Sequence, residues 1–213
     1  MEWANKPNLP ALVQSFLLHY SRRDSNASNA SSSAQMPLPI NKTLRIHSSV
    51  SCTFFAPSDP CSVHGLRQEH IRSMWNWRGA GPQQDMVLVN TGDRGNKALP
   101  MSGYALARVL LLFSFKYDGK TVPVAIIWWY NLTGEDGCRD ELTGMWLVKC
   151  KYQDSTVPHL AVVHVDTILH VAHLLPFFGS KRVLQDLSHN KSLDTYHLFY
   201  VNRFADHHLF ELL

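Results

Sequence analysis

The chain has 213 residues, of which 45% are hydrophobic and 17% charged, and its formal net charge is +3. This composition provides enough apolar side chains for a buried core, and the length suits one domain with terminal extensions. The net charge is too small to indicate nucleic-acid binding by itself, although the first 106 residues carry ten Lys/Arg against six Asp/Glu. The longest apolar run, residues 122–130, is too short to span a bilayer.

The start of the chain lacks the basic and apolar regions of a secretory signal. Its four cysteines, Cys52, Cys61, Cys138 and Cys150, form no CxxC pair and fit neither a zinc knuckle nor a dense disulfide framework. We therefore predict an intracellular protein with reduced thiols and no membrane partner.

The first predicted element is an amphipathic helix at residues 8–22. Its apolar residues recur at three- and four-residue steps: Leu9, Leu12, Val13, Phe16, Leu17 and Tyr20. A stretch rich in Ser, Asn, Ala and Pro follows and can bury little surface, which is typical of a flexible linker. The predicted organisation is an N-terminal helix within 1–23, a linker over 24–42, and a single β-rich domain over 43–213.

Residues 43–56 alternate and favour β structure, and a Pro-Ser-Asp-Pro turn at 57–60 ends them. A short helix is predicted at 65–74, a loop at 75–82 and a short apolar strand at 86–89.

The centre of the chain gives the strongest structural signal. Strand-like apolar runs occupy residues 107–117, 122–130, 144–152 and 160–165, and Asp118-Gly119-Lys120 predicts a tight hairpin between the first two. Short connections favour antiparallel pairing, and such a curved sheet often closes into a barrel. A final helix is predicted from Ser192 to the end.

These elements define an α+β fold. Its core is a mainly antiparallel, barrel-like sheet over residues 43–178, flanked by helices at 8–22 and 192–211.

The order of several segments resembles the C-terminal region of Plavaka-type transposon proteins, DNA transposases of mushroom-forming fungi related to the KDZ superfamily. The segments are KPNLPALVQSFL, RIHSSVSCTFFAPSDPCSVHGLRQEHIRSMWNWRG, ARVLLLFSFKYDGKTVPVAIIWWY, TGMWLVKCKY, LAVVHVDTILHVAHLLPFFG and SLDTYHLFYVNRFADHHLFELL. The resemblance implies a nuclear protein in which a nuclease core precedes this region, so that the chain is a detached remnant or begins inside a longer gene. Two departures from the family pattern are His170, where a basic residue is expected, and residues 61–64, which are not Gly-rich.

A candidate metal site lies in the pattern His164-x-Asp166-x3-His170-x2-His173, which holds donor types that zinc and other divalent metals take. With His164 and Asp166 at a strand end and a helix after them, the four side chains could meet. The alternative is that His164 and Asp166 form a hydrogen-bonded pair in the core, at a strand end, with His170 partly exposed.

A second polar cluster is Asp206-His207-His208-x2-Glu211, in which His207 and Glu211 are spaced to pair on a helix. It does not match the HExxH pattern of metalloproteases, and a polar helix end explains it equally well. The two clusters could also form one site, although nothing in the sequence requires it.

Catalytic patterns are otherwise missing from the sequence, which has no GxSxG elbow, P-loop or GxGxxG motif. A transposase nuclease needs three carboxylates that hold two metal ions. The candidates do not fall at strand ends of a βαβ pattern: Asp85, Asp93, Asp166 and Asp206.

Residues 67–78 mix basic and aromatic side chains: Arg67, Arg72, Trp75, Trp77 and Arg78. Arginines on one side of a helix can contact phosphate, and exposed tryptophans can stack on bases, so this set is a candidate nucleic-acid site. The alternative is that both tryptophans are core anchors. Trp128, Trp129 and Tyr130 also suggest an aromatic cage for a methylated lysine, by analogy with small chromatin barrels.

Together these patterns favour a non-catalytic accessory module of a transposon protein, without cofactor. Its expected partners are DNA or chromatin, a second copy, or the rest of a transposase. The alternatives are a metal-dependent hydrolase that uses residues 164–173 and an inert remnant.

Overall fold

The computed structural model describes residues 9–24, 43–92, 101, 103–133, 139–154, 156–180, 182–183, 187 and 191–213. The predicted linker therefore lies outside the described residues apart from Asp24. The helices are α1 (Leu9–Asp24), α2 (Ser192–Thr195) and α3 (His207–Leu212). The strands are β1 (Arg45–His47), β2 (Ser49–Phe55), β3 (Leu66–Met74), β4 (Gln83–Gln84), β5 (Met86–Asn90), β6 (Tyr104–Tyr117), β7 (Lys120–Leu132), β8 (Trp146–Cys150), β9 (Leu160–His164), β10 (Ile168–Ala172), β11 (Leu174–Pro176) and β12 (Leu198–Val201).

The long hairpin of β6 and β7 organises the main sheet. Its turn is Asp118-Gly119, and both residues have positive φ angles, 47° and 74°. Positive φ at both central positions is the requirement of the two-residue turn that matches the twist of a hairpin, and glycine meets it without strain. The predicted hairpin is therefore confirmed, with Tyr117 opposite Lys120 at its end.

The main sheet curls into a barrel-like shape around this hairpin. On one side β5 pairs with β6, and on the other side β9 pairs with β7. A 3-10 turn, Val165–Thr167, carries the chain from β9 into β10, which pairs with β5 and so joins the two edges. Every pairing among the described strands is antiparallel, which confirms the predicted fold class.

The predicted helix at 65–74 is wrong, because these residues form strand β3. β3 pairs with β2 from Phe55 opposite Leu66 to Ser49 opposite Arg72, and it continues into a short pairing with β4. Burial alternates along β3, with Ile71 and Ser73 buried between less buried neighbours. This period of two, together with the hairpin partner, overrides a weak helical preference that local sequence alone suggested.

The single helix predicted from Ser192 to the end is also wrong in extent. Only four residues form α2, and the chain then extends as β12, which pairs with β8 on one side and β11 on the other. The alternating burial of Leu198, Phe199, Tyr200 and Val201 explains the strand. A helix returns only at α3, where the Asp206 carboxylate accepts a hydrogen bond of 2.8 Å from the Leu209 amide.

Helix α1 confirms the predicted N-terminal helix and packs on the barrel. Its Val13 and Leu17 are buried in one cluster with Phe113 and Phe115, and the Phe16 ring meets Phe115 edge-on at 6.5 Å. Among the described helices, none combines the length and apolar character needed to cross a bilayer.

The packing of α1 predicts that substitutions at two neighbouring leucines will change the free energy of unfolding by different amounts. Leu17 is 3% exposed and Leu18 is 40% exposed. Leu17→Ala should lower the free energy of unfolding by about 2–5 kcal/mol because it leaves a cavity. Leu18→Ala, the matched control, should change it by less than about 0.5 kcal/mol. Urea denaturation measures both, and equal effects would contradict docking of α1 on the barrel.

Candidate nucleic-acid interface

Trp77 stands at the centre of a basic and aromatic cluster. The guanidinium carbons of Arg72 and Arg78 lie 5.2 Å and 5.1 Å from the centroid of its ring. Both distances fall within the range of cation–π attraction, which holds the two positive charges beside one aromatic side chain. Three of the five residues predicted as a nucleic-acid site are therefore brought together.

A tight turn after β3, residues 75–82, sets this arrangement. The Trp77 amide donates to the Gly81 carbonyl at 2.8 Å, and the Ala80 amide donates back to the Trp77 carbonyl at 2.9 Å. Arg78 and Gly79 have φ angles of 53° and 78°, and the left-handed conformation is easy for the glycine. The turn thus folds Arg78 back toward Trp77.

The other two predicted residues lie apart from this cluster. Arg67 projects from the opposite face of β3 to Arg72, because an odd number of positions separates them on a strand. Its Nε lies 3.3 Å from the Asp59 carboxylate, which neutralises its charge. Trp75 is 64% exposed, so it is not the core anchor that the alternative interpretation required.

A pocket of about 300 Å³ lies next to Trp77, and we call it the Trp77 pocket. Trp77, residues 80–84, Arg108 and residues 192–193 line it. Arg108 comes from the middle of β6 and is only 4% exposed. Its Nη1 and Nη2 donate to the two carboxylate oxygens of Asp194 at 2.5 Å and 3.3 Å. Its Nε has no hydrogen-bond partner among the described residues.

Arg108 and Asp194 were not among the predicted site residues. A signal for Arg108 was present, since one arginine interrupts the long apolar run of β6 and a buried guanidinium needs a partner. The partner lies 86 positions further along the chain, so only the folded structure identifies it.

The four residues of the predicted metal site do not converge. His164 Nδ1 lies 3.4 Å from the Asp166 carboxylate, but the Asp166 side chain is 85% exposed, so the two residues do not form the core pair of the alternative interpretation. His173 contacts Asn202 instead, and His170 is 2% exposed rather than partly exposed. The cause is that residues 168–172 form a strand and not a helix. Among the described residues, no group of three or more His, Cys, Asp or Glu side chains could hold a metal ion.

The two polar clusters of the sequence do meet, through His170. Its Nδ1 lies 3.5 Å from the Glu69 carboxylate, its Nε2 lies 3.7 Å from the Asp206 carboxylate, and its ring centroid lies 5.2 Å from that of His208. We call these four residues the His170 cluster. The Phe54 ring packs against both imidazoles, at 4.3 Å and 4.7 Å. The cluster ties α3 to β3 and β10.

Cys52, opposite Glu69 in the β2–β3 hairpin, adds no nucleophile to this cluster. Burial and the nearby Glu69 raise the pKa of its thiol, and its sulfur donates to the Leu169 carbonyl at 3.1 Å. A raised pKa reduces the reactive thiolate fraction.

The candidate nuclease carboxylates have separate partners. Asp85 accepts hydrogen bonds from the Arg72 amide and the Gln83 side chain, Asp166 lies beside His164, and Asp206 caps α3. Asp93 lies outside the described residues.

The aromatic trio on β7 does not form a cage by itself. Trp128 packs on Tyr130 at 6.1 Å, and its indole N–H donates to the Lys151 carbonyl at 2.7 Å. Trp129 points to the other face of the strand, where it lines a cavity of about 520 Å³ with Phe16, Tyr20 and His164. The Tyr20 ring is stacked between Phe16, at 5.4 Å, and His164, at 5.9 Å.

No protein-family model, curated protein or solved structure gives a significant match to this chain.

The His170 cluster predicts a loss of stability on mild acidification. Burial, and after it the charge of His170, lower the pKa of His208 below its ordinary 6.5. Below about pH 6.5 the unfolded chain therefore binds a proton at this position more readily than the folded chain, and stability falls until the lowered pKa is reached. Burial raises the pKa of Glu69, so its contribution has the opposite sign and falls as the pH rises through that raised pKa.

The test is urea denaturation between about pH 7.5 and pH 5.5. His208→Gln should flatten the decline in unfolding free energy, whereas His207→Gln on the same helix should retain it because His208 is intact. An unchanged slope in His208→Gln would contradict the assignment.

Proposed function

We propose that this chain is a non-catalytic accessory module of a transposon-derived protein and that it binds nucleic acid through Arg72, Trp77 and Arg78. The observation that supports this most directly is the pair of guanidinium groups held within 5.2 Å of one tryptophan ring. Guanidinium groups donate to phosphate oxygens, and aromatic rings and guanidinium planes both stack on unpaired bases.

Arg72 and Arg78 differ from two other arginines of this region, whose charges are neutralised by carboxylates. Arg67 is paired with Asp59 and Arg108 with Asp194, so neither offers net positive charge to a ligand. Within the described residues, Arg72 and Arg78 have no carboxylate at ion-pair distance. Their two charges remain available for phosphate, and they act at the same ring.

The resemblance to Plavaka-type transposon proteins supports the same proposal from a different direction. A module that travels with a DNA transposase would work in the nucleus, where DNA and chromatin are the abundant partners. The exposed side chain of Trp75, which directly follows β3, adds a second aromatic surface on this segment of the chain.

Because Arg72 and Arg78 supply two positive charges, we expect weak binding, with an affinity that depends only modestly on salt concentration. For a single strand, the slope of log Kobs against log salt should be about −0.7 for each phosphate contacted, or about −1.4 in total. Arg78→Gln should reduce the magnitude of that slope by about 0.7, since it removes one contact. Fluorescence anisotropy with a labelled single-stranded oligonucleotide, titrated at several salt concentrations, measures it.

Arg67→Gln is the matched control, because this arginine is already paired and lies on the other face of β3. It should leave the slope unchanged. If Arg67→Gln weakened binding as much as Arg78→Gln, the assigned surface would be wrong. A complete lack of binding at low salt would remove the proposal and leave the inert remnant as the better interpretation.

A further inference from the structure

We propose that the Trp77 pocket takes one unpaired nucleobase, which packs against Trp77 beside the neutral ion pair of Arg108 and Asp194. This inference rests on the proposed function and assigns its ligand class, namely a single strand or a locally opened duplex.

The volume of the Trp77 pocket favours a ligand with a single ring system. A volume of about 300 Å³ is at the low end of ligand pockets, so it is suited to a single base rather than a base pair. The walls come from different parts of the chain: the turn after β3, the middle of β6 and the start of α2. A base that remains paired and stacked in a duplex could not enter between them.

The chemistry of the pocket wall favours an uncharged ligand. Arg108 is permanently protonated, and Asp194 occupies its two terminal nitrogens. The Nε–H is fully buried, so it is closed to a ligand in the pocket. Because the ion pair is neutral as a whole, the wall suits an uncharged base better than a phosphate.

The position of the pocket connects it to the backbone of the strand. Trp77 belongs both to the pocket wall and to the cluster with Arg72 and Arg78. A base inside the pocket would contact Trp77, and its phosphates would lie at the mouth near the two free guanidinium groups. No carboxylate is among the described residues that line the pocket, and the charge of the nearby Asp194 is paired with Arg108.

The test compares three labelled oligonucleotides of equal length by fluorescence anisotropy at low salt: oligothymidylate, an abasic strand with the same phosphates, and a duplex. The wild-type protein should bind oligothymidylate about tenfold or more tighter than the other two, since contact with a base adds to the phosphate attraction. Equal binding of oligothymidylate and the abasic strand would overturn the pocket and leave the surface proposal intact. Failure of all three to bind would instead remove the proposed function.

One variant locates the effect. Ala80→Phe adds a ring at an exposed position in the wall of the pocket. It should lower the affinity for oligothymidylate to that for the abasic strand, while the abasic affinity stays the same. If circular dichroism shows that the variant is folded, and the preference for oligothymidylate is unchanged, the inference is wrong.

Discussion

The ion pair between Arg108 and Asp194 is the interaction on which the candidate site and the position of α2 depend. Arg108 lies in the middle of β6, among apolar residues, where an unpaired guanidinium would be strongly destabilising. Asp194 can reach it only if α2 lies against the sheet beside the turn after β3. The need of the buried Arg108 for a carboxylate partner thus fixes the position of α2. After α2 the chain forms β12, which lies between β8 and β11.

The same ion pair creates the candidate site. With its terminal nitrogens occupied by Asp194, Arg108 brings no net charge to the Trp77 pocket. The free positive charge lies outside, on Arg72 and Arg78, and the ring of Trp77 joins the two regions. This division between a neutral pocket and a charged mouth is what recognition of a base on a charged backbone requires. Elsewhere, the His170 cluster holds α3 in place by burial, aromatic packing and carboxylate–imidazole contacts.

Much of the fold could be predicted from local patterns. The β6–β7 hairpin followed from two apolar runs around Asp118-Gly119, and α1 followed from its apolar stripe. The errors arose where tertiary pairing decided the outcome. Residues 66–74 have few apolar positions, so the strand pattern of β3 is visible only in its register with β2. Residues 199–201 are aromatic or β-branched, but helical spacing of the flanking residues concealed the strand.

The candidate site could be predicted only in part. The proximity of Arg72, Trp77 and Arg78 in sequence was enough to suggest it, although the assumed helix was wrong. The sequence could not show that Arg67 lies outside the cluster, because its pairing with Asp59 is known only from the fold. Arg108 stands out as one arginine in the apolar run of β6, but its partner Asp194 could not be predicted, because contacts between distant parts of a chain leave no local pattern.

The most direct test of the account is photocrosslinking followed by peptide mapping. Oligothymidylate with one photoreactive thymine analogue is irradiated with the intact protein, and tryptic peptides are sequenced by mass spectrometry. Cleavage after Arg72 and Arg78 releases the hexapeptide SMWNWR, and fragmentation separates Trp75 from Trp77. We predict that the main crosslink maps to Trp77 and that excess unlabelled oligothymidylate suppresses it. Crosslinks confined to another face of the barrel, or spread evenly over the surface, would contradict the account.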